Sequence, residues 1–127
     1  MIMWHGAFIR GTALALAFVS SAQAAGDPEK GKQIFNQQCK GCHSLEAGKQ
    51  GIGPTLHGVF GRKAGTLENY NYSTAMKNSS VVWDEETLKK YLADPRKFIP
   101  GDKMVFAGIK NDAQLDNLIA YLKQASQ

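Results

Sequence analysis

The 127-residue sequence shows no alternating apolar and polar strand pattern, no internal repeat and no low-complexity segment. Nothing in it calls for a sheet, a solenoid or a compositionally biased tail. Long apolar runs are missing beyond the first two dozen residues, so no second membrane-spanning segment is expected. The formal net charge is +4, yet no Lys/Arg run interleaves with stacking aromatics, which argues against a nucleic-acid groove. Cysteine is scarce, with only Cys39 and Cys42.

The first stretch reads as an export signal rather than as part of a fold. Met1 to Arg10 carries one positive side chain, Gly11 to Val19 is an uninterrupted small-to-apolar run, and Ala22-Gln23-Ala24 supplies the small, any, small pattern of a cleavage site. Residues 1–24 are thus expected to be removed, leaving residues 25–127 as one mature domain and pointing to a bacterial periplasm. A retained anchor is the alternative, but spanning a bilayer takes about 20 apolar residues and this run is shorter. Loss of Arg10 lowers the formal charge to +3, a mildly basic balance that suits acidic protein partners.

The mature chain reads as all-α with long loops. Asp27-Pro28 starts a helix that runs to about Cys39 and buries Ile34 and Phe35; Gly31, one turn before Phe35, leaves room for another helix. Gly41 to Gly65 is glycine-rich and basic with little periodicity, as expected of loops that wrap something. A short helix from Ser73 is expected, then one after Trp83, opened by Asp84-Glu85-Glu86 and stopped by Asp94-Pro95, with Leu88, Tyr91 and Leu92 on one face. Pro95 opens another turn through Phe98. Asn111 or Asp112 caps a last helix whose Leu115, Leu118, Ile119 and Leu122 form an apolar stripe, the natural partner of the Gly31/Phe35 face.

Two cysteines in an exported chain would normally form a disulfide. Here they stand in Cys39-Lys40-Gly41-Cys42-His43, the C-x-x-C-H spacing of c-type haem attachment. Thiols separated by two residues at a helix end lie about one turn apart, which lets each add to one haem vinyl group as a thioether. The next residue, His43, is carried under the iron. Gly41 keeps the turn clear of the ring. A thioredoxin-like redox pair would need a strand and helix context that is absent. A zinc site takes about four ligands, and only His43 and His57 accompany the cysteines. A mature chain of about 100 residues is also short of core, and a buried haem would add about 10 kcal/mol at roughly 25 cal/mol per Å².

Three side chains could supply the other axial ligand: Met76, Met104 and His57. Met76 reads as core packing. His57, in a glycine-rich loop, reads as a hydrogen-bonding histidine. Met104 follows Pro100-Gly101-Asp102-Lys103 in a non-helical loop between helices, where a side chain can be aimed across a haem from His43.

Several strings resemble the class I cytochromes c, most closely the mitochondrial type and the small bacterial cytochromes c2. They are Gly53-Pro-Thr-Leu-His57-Gly-Val-Phe-Gly-Arg62-Lys-Ala-Gly65, Trp83 through Leu92, Pro100-Gly-Asp-Lys-Met104-Val-Phe-Ala-Gly-Ile109 and Leu118-Ile-Ala-Tyr-Leu-Lys123. The resemblance implies crossing first and last helices around one covalently bound haem in a mostly apolar crevice. It implies Met104 as sixth ligand with Tyr91 near its sulfur. The Pro54 carbonyl would accept the other ring N–H of His43, Arg62, Tyr72 and Trp83 would surround the buried propionate, and Phe106 would close the crevice. Met76 stands where the family usually has asparagine, which alters the polar network beneath the haem. Asp102 replaces a usual threonine, adding negative charge beside Lys103 on the expected docking face, and Gln38 replaces a lysine. The docking ring then rests on Arg96, Lys97, Lys103 and Lys110.

The function so implied is that of a soluble, monomeric one-electron carrier of the periplasm, not an enzyme. It would take electrons from a cytochrome bc1-type donor and pass them to an oxidase, reductase or reaction-centre acceptor. A peroxidase-like enzyme or gas sensor would need an open sixth site, and the sequence supplies no distal acid-base pair for one.

Overall fold

The computed structural model describes residues 26–127, so the expected signal, residues 1–24, lies outside the described residues. Helix α1, Pro28–Gln38, begins as its sequence dictates: the Asp27 carboxylate accepts the main-chain N–H of Glu29 at 3.0 Å, and Pro28 fills the first turn. Helix α5, Asp112–Ala125, is opened by Asn111, whose side-chain oxygen accepts the Gln114 N–H at 3.0 Å. Its Leu115, Leu118, Ile119 and Leu122 are all buried.

These two helices cross at Gly31. A Cβ placed there would stand 1.9 Å from the Asn117 carbonyl oxygen and 2.8 Å from Tyr121 Cβ. One turn on, the Phe35 and Tyr121 rings lie 5.5 Å apart. The Asp27 N–H donates to Asn117 Oδ1 at 2.7 Å and fixes the register of the crossing. The expected pairing of the Gly31/Phe35 face with the last helix is therefore the one found.

Between them run three shorter helices. Ser73 caps α2, Thr74–Lys77, through the Met76 N–H at 3.1 Å. Helix α3, Glu85–Ala93, opens with a capping box in which Asp84 and Thr87 each bond the other's main-chain N–H at 2.8 Å. Helix α4, Pro95–Phe98, follows immediately. Among the described residues there is no strand, only an isolated antiparallel bridge between Lys63 and Val82. Residues 41–73 are loop apart from turns.

Two apolar clusters result. One joins Phe35, Ile109, Leu115, Leu118 and Leu122; the other joins Val59, Ala64, Trp83, Leu88, Tyr91, Ile99 and Ile119. Half-buried Phe60 and Leu92 touch both. Among the described residues no helix is long and apolar enough to cross a membrane.

Gly31→Ala tests the crossing. Alanine gains about 1 kcal/mol of helix propensity over glycine, but its methyl meets backbone that cannot rotate away, and overpacking of this kind costs about 3 kcal/mol. A net loss of about 2 kcal/mol in denaturant unfolding of the haem-loaded protein is expected; an unchanged or raised stability would mean that the helices separate freely.

Candidate cofactor site

The end of α1 sets the site. The winding continues past Gln38: Cys39 N–H donates to Phe35 O at 2.9 Å, Cys42 N–H to Cys39 O at 3.1 Å and His43 N–H to Cys39 O at 2.9 Å. This turn brings both thiols and the imidazole to the wall of one cavity of about 420 Å³. The cavity draws its lining from both apolar clusters, with Val59, Trp83, Leu88 and Tyr91 from one and Leu122 from the other. Ile52 and Val105 also line it and are 78% and 95% exposed, so it opens to solvent beside them.

Cys39 and Cys42 are free thiols. Burial, and secondarily the neighbouring Cys42, push the Cys39 thiol up to about 11. A redox dithiol works by a lowered thiol pKa, and Cys39 is shifted the other way. Both cysteines stand at the edge of an apolar cavity, which suits covalent addition to a bound ring.

His43 Nδ1 lies 2.8 Å from the Pro54 carbonyl. A carbonyl can only accept, so Nδ1 carries the hydrogen and Nε2 keeps its lone pair. Burial lowers the His43 pKa, with the Pro54 bond opposing it, which favours the neutral ring that a metal requires. Gly53 makes the approach possible, since a Cβ there would sit 2.3 Å from His43 Cε1.

The loop that presents Pro54 is held from below. Buried Thr55 donates through Oγ1 to the Glu46 carbonyl at 2.6 Å, and its N–H donates to Gln50 Oε1 at 2.8 Å. Gln50 Nε2 reaches the Glu68 carbonyl at 3.3 Å and ties this loop to the next. Arg62 donates to the Thr55 and His57 carbonyls at 3.0 and 3.1 Å. Burial pushes its pKa down, with Tyr72 working the other way, and burial pushes the Tyr72 phenol up. A half-buried guanidinium beside a phenol is a place where an anionic group would be stabilised.

The remaining wall comes from residues 101–108. The Asp102 N–H donates to Ile99 O at 3.1 Å and the Ile109 N–H to Leu92 O at 2.9 Å, which pins the segment at both ends. Burial alternates along it: Asp102, Met104 and Phe106 are half-buried, whereas Lys103, Val105 and Ala107 are exposed. Met104, Phe106 and Asp102 line the cavity. The expectation that Asp102 adds charge to the docking face is corrected here. Its Oδ2 accepts the Tyr91 hydroxyl at 2.5 Å and its Oδ1 is buried.

The residues expected to attach, ligate or surround the haem, Cys39, Cys42, His43, Pro54, Arg62, Tyr72, Trp83, Tyr91, Met104 and Phe106, all line this cavity. Met76 lines it from α2, packed against the Trp83 cluster. His57 does not; its main chain bonds Thr55 Oγ1 and Arg62, outside the cavity wall. Among the described residues no three His, Cys, Asp or Glu side chains gather as a metal-ion ligand set, which removes support for the zinc alternative. Sequence reasoning missed Tyr70. Its hydroxyl donates to the Ile52 carbonyl at 2.7 Å, its ring stacks edge-on against Tyr72 at 4.7 Å, and the Lys103 amine lies 5.0 Å over it.

Thiols, a neutral imidazole, a thioether and an apolar cavity fit a covalently bound haem, and the comparisons agree. Residues 28–126 match the model of the family described as Cytochrome c. The chain is 61% identical over 85 residues to cytochrome c2 iso-2 of Magnetospirillum fulvum, covering 67% of this chain and 88% of that protein. It is 51% identical over 109 residues to cytochrome c2 of Rhodomicrobium vannielii, covering 85% and 86%. Its fold matches cytochrome cH from Methylobacterium extorquens with a TM-score of 0.73 at 49% identity, covering 78% of this chain and 99% of that one. The chain therefore belongs to the cytochrome c family, electron carriers that hold one haem c covalently.

Proposed function

We propose that this chain is exported through residues 1–24 and that residues 25–127 form a soluble, monomeric periplasmic shuttle. Its haem is attached through Cys39 and Cys42 and ligated by His43 and Met104. The observation that carries this reading is the convergence of these four side chains on one cavity, with His43 Nε2 left free by the Pro54 bond. The haem iron supplies reversible one-electron exchange between ferrous and ferric states, and His/Met ligation raises its potential.

The chain's own residues do the rest. Pro54 fixes the ring orientation and tautomer of His43. Arg62, Tyr72 and Trp83 receive the buried propionate, where the desolvated guanidinium gains an anionic neighbour. Phe106 and Leu122 exclude water from the cavity. Tyr91, its phenol held protonated by burial and by Asp102, is no general base. This, together with Met104 at the sixth position, favours a carrier over an enzyme or gas sensor.

Docking to acidic redox partners, a bc1-type donor and an oxidase, reductase or reaction-centre acceptor, rests chiefly on Arg96 and Lys97, both exposed at α4. Lys103 and Lys110 are less available. The Lys103 amine is held by the Asn71 carbonyl, and Lys110 donates to the Ala93 carbonyl at 2.6 Å and lies 3.6 Å from Asp94.

Met104→Ala is expected to abolish the weak long-wavelength ferric band of an iron–methionine bond and to let the ferrous protein bind carbon monoxide. Unmodified ferrous protein that binds carbon monoxide readily would refute Met104 ligation. Arg96→Gln with Lys97→Gln should slow association with a bc1-type complex about tenfold at low salt, converge with the native rate at high salt and leave the potential in place. Stopped-flow rates indifferent to both changes would refute this docking face.

A further inference from the structure

Tyr91 has one hydroxyl hydrogen and two acceptors within reach: Asp102 Oδ2 at 2.5 Å and Met104 Sδ at 4.0 Å. The oxygen wins on distance and on charge, since a charge-assisted bond is worth roughly 1.5–3 kcal/mol and a thioether is a weak acceptor. The ring is not free to turn away. Tyr91 is buried, with Trp83 at 5.0 Å and Phe98 at 6.3 Å between ring centres.

Asp102 brings its carboxylate to the cavity wall, with Oδ2 on the Tyr91 hydroxyl and Oδ1 buried beside it. The neighbouring cation does not pair with it, because the Lys103 amine lies against the Asn71 carbonyl and the Tyr70 ring.

We infer that Asp102 is a positioning residue that holds the Tyr91 hydroxyl hydrogen off the Met104 sulfur and thereby lowers the reduction potential of the haem-loaded protein. Two effects act in the same direction. A sulfur without a hydrogen-bond donor keeps its full electron density for a ferric iron, and a carboxylate in the cavity wall favours the more positive oxidation state. The inference rests on Met104 ligation.

Midpoint potentials of the full haem-loaded chain test it, with the native protein, Asp102→Asn, Asp102→Ala and each of these combined with Tyr91→Phe. Asparagine removes the charge and keeps an acceptor; alanine removes both and frees the hydrogen for the sulfur. Both substitutions should shift the potential upward, alanine further. Tyr91→Phe should then lower the potential of the Asp102→Ala protein and leave that of Asp102→Asn almost in place. A residue that merely packed would change unfolding stability without this split. Potentials that do not rise, or a Tyr91→Phe effect equal in both backgrounds, with the ferric long-wavelength band intact, would overturn the role of Asp102 alone. Should Asp102→Ala fail to load haem, an unshifted Asp102→Asn would still overturn it. Absence of that band from the native protein would overturn the ligation reading and this inference with it.

Discussion

The crossing of α1 and α5 at Gly31 is the contact on which the site depends. With no side chain at that position, the α1 backbone lies against Asn117 and Tyr121, and the Phe35–Tyr121 contact and the Asp27–Asn117 bond leave little freedom of rotation. Because the turn at Cys39 to His43 continues the winding of α1, fixing that helix on α5 also fixes where the thiols and imidazole face. Rotation of α1 by one residue would carry Cys39, Cys42 and His43 about 100° round the axis and out of the cavity. A packing constraint more than a turn away thus aims the attachment chemistry.

Loops build most of the opposite side, and loops cannot hold a shape by burying a face. Here they are held by side-chain bonds to main-chain carbonyls: Thr55 to Glu46, Gln50 to Glu68, Arg62 to Thr55 and His57, and Tyr70 to Ile52. Each satisfies a backbone group that no regular element would satisfy. Together they convert a glycine-rich stretch into a frame stiff enough to keep the Pro54 carbonyl 2.8 Å from His43. That stiffness matters for electron exchange, since a ligand cage that moves little between oxidation states keeps rearrangement small.

The helices were legible because their signals are local. Asp27-Pro28, Asp84 through Thr87, Asp94-Pro95 and Asn111 each write a start or stop within four residues, and the stripe of α5 repeats its face over two turns. The attachment motif was legible for the same reason. Thr55, Gln50 and Tyr70 were not, because their partners lie 5 to 18 residues away in aperiodic chain and nothing in a residue type says which carbonyl it will meet. Asp102 was misread for a different reason. A carboxylate beside a lysine resembles solvated surface, and charge outweighed position.

Position decides the matter instead. Asp102 through Phe106 all border the cavity, with Asp102, Met104 and Phe106 half-buried and Lys103 and Val105 at its exposed rim. One stretch of chain therefore delivers the sulfur, the group that governs the hydrogen beside it and the exposed rim at once, and none of these can be exchanged by register without exchanging all. A side chain at position 102 belongs to the cavity whatever its polarity. A carboxylate there puts one oxygen on the Tyr91 hydroxyl and the other in the buried cavity wall, within the same few residues as the Met104 sulfur.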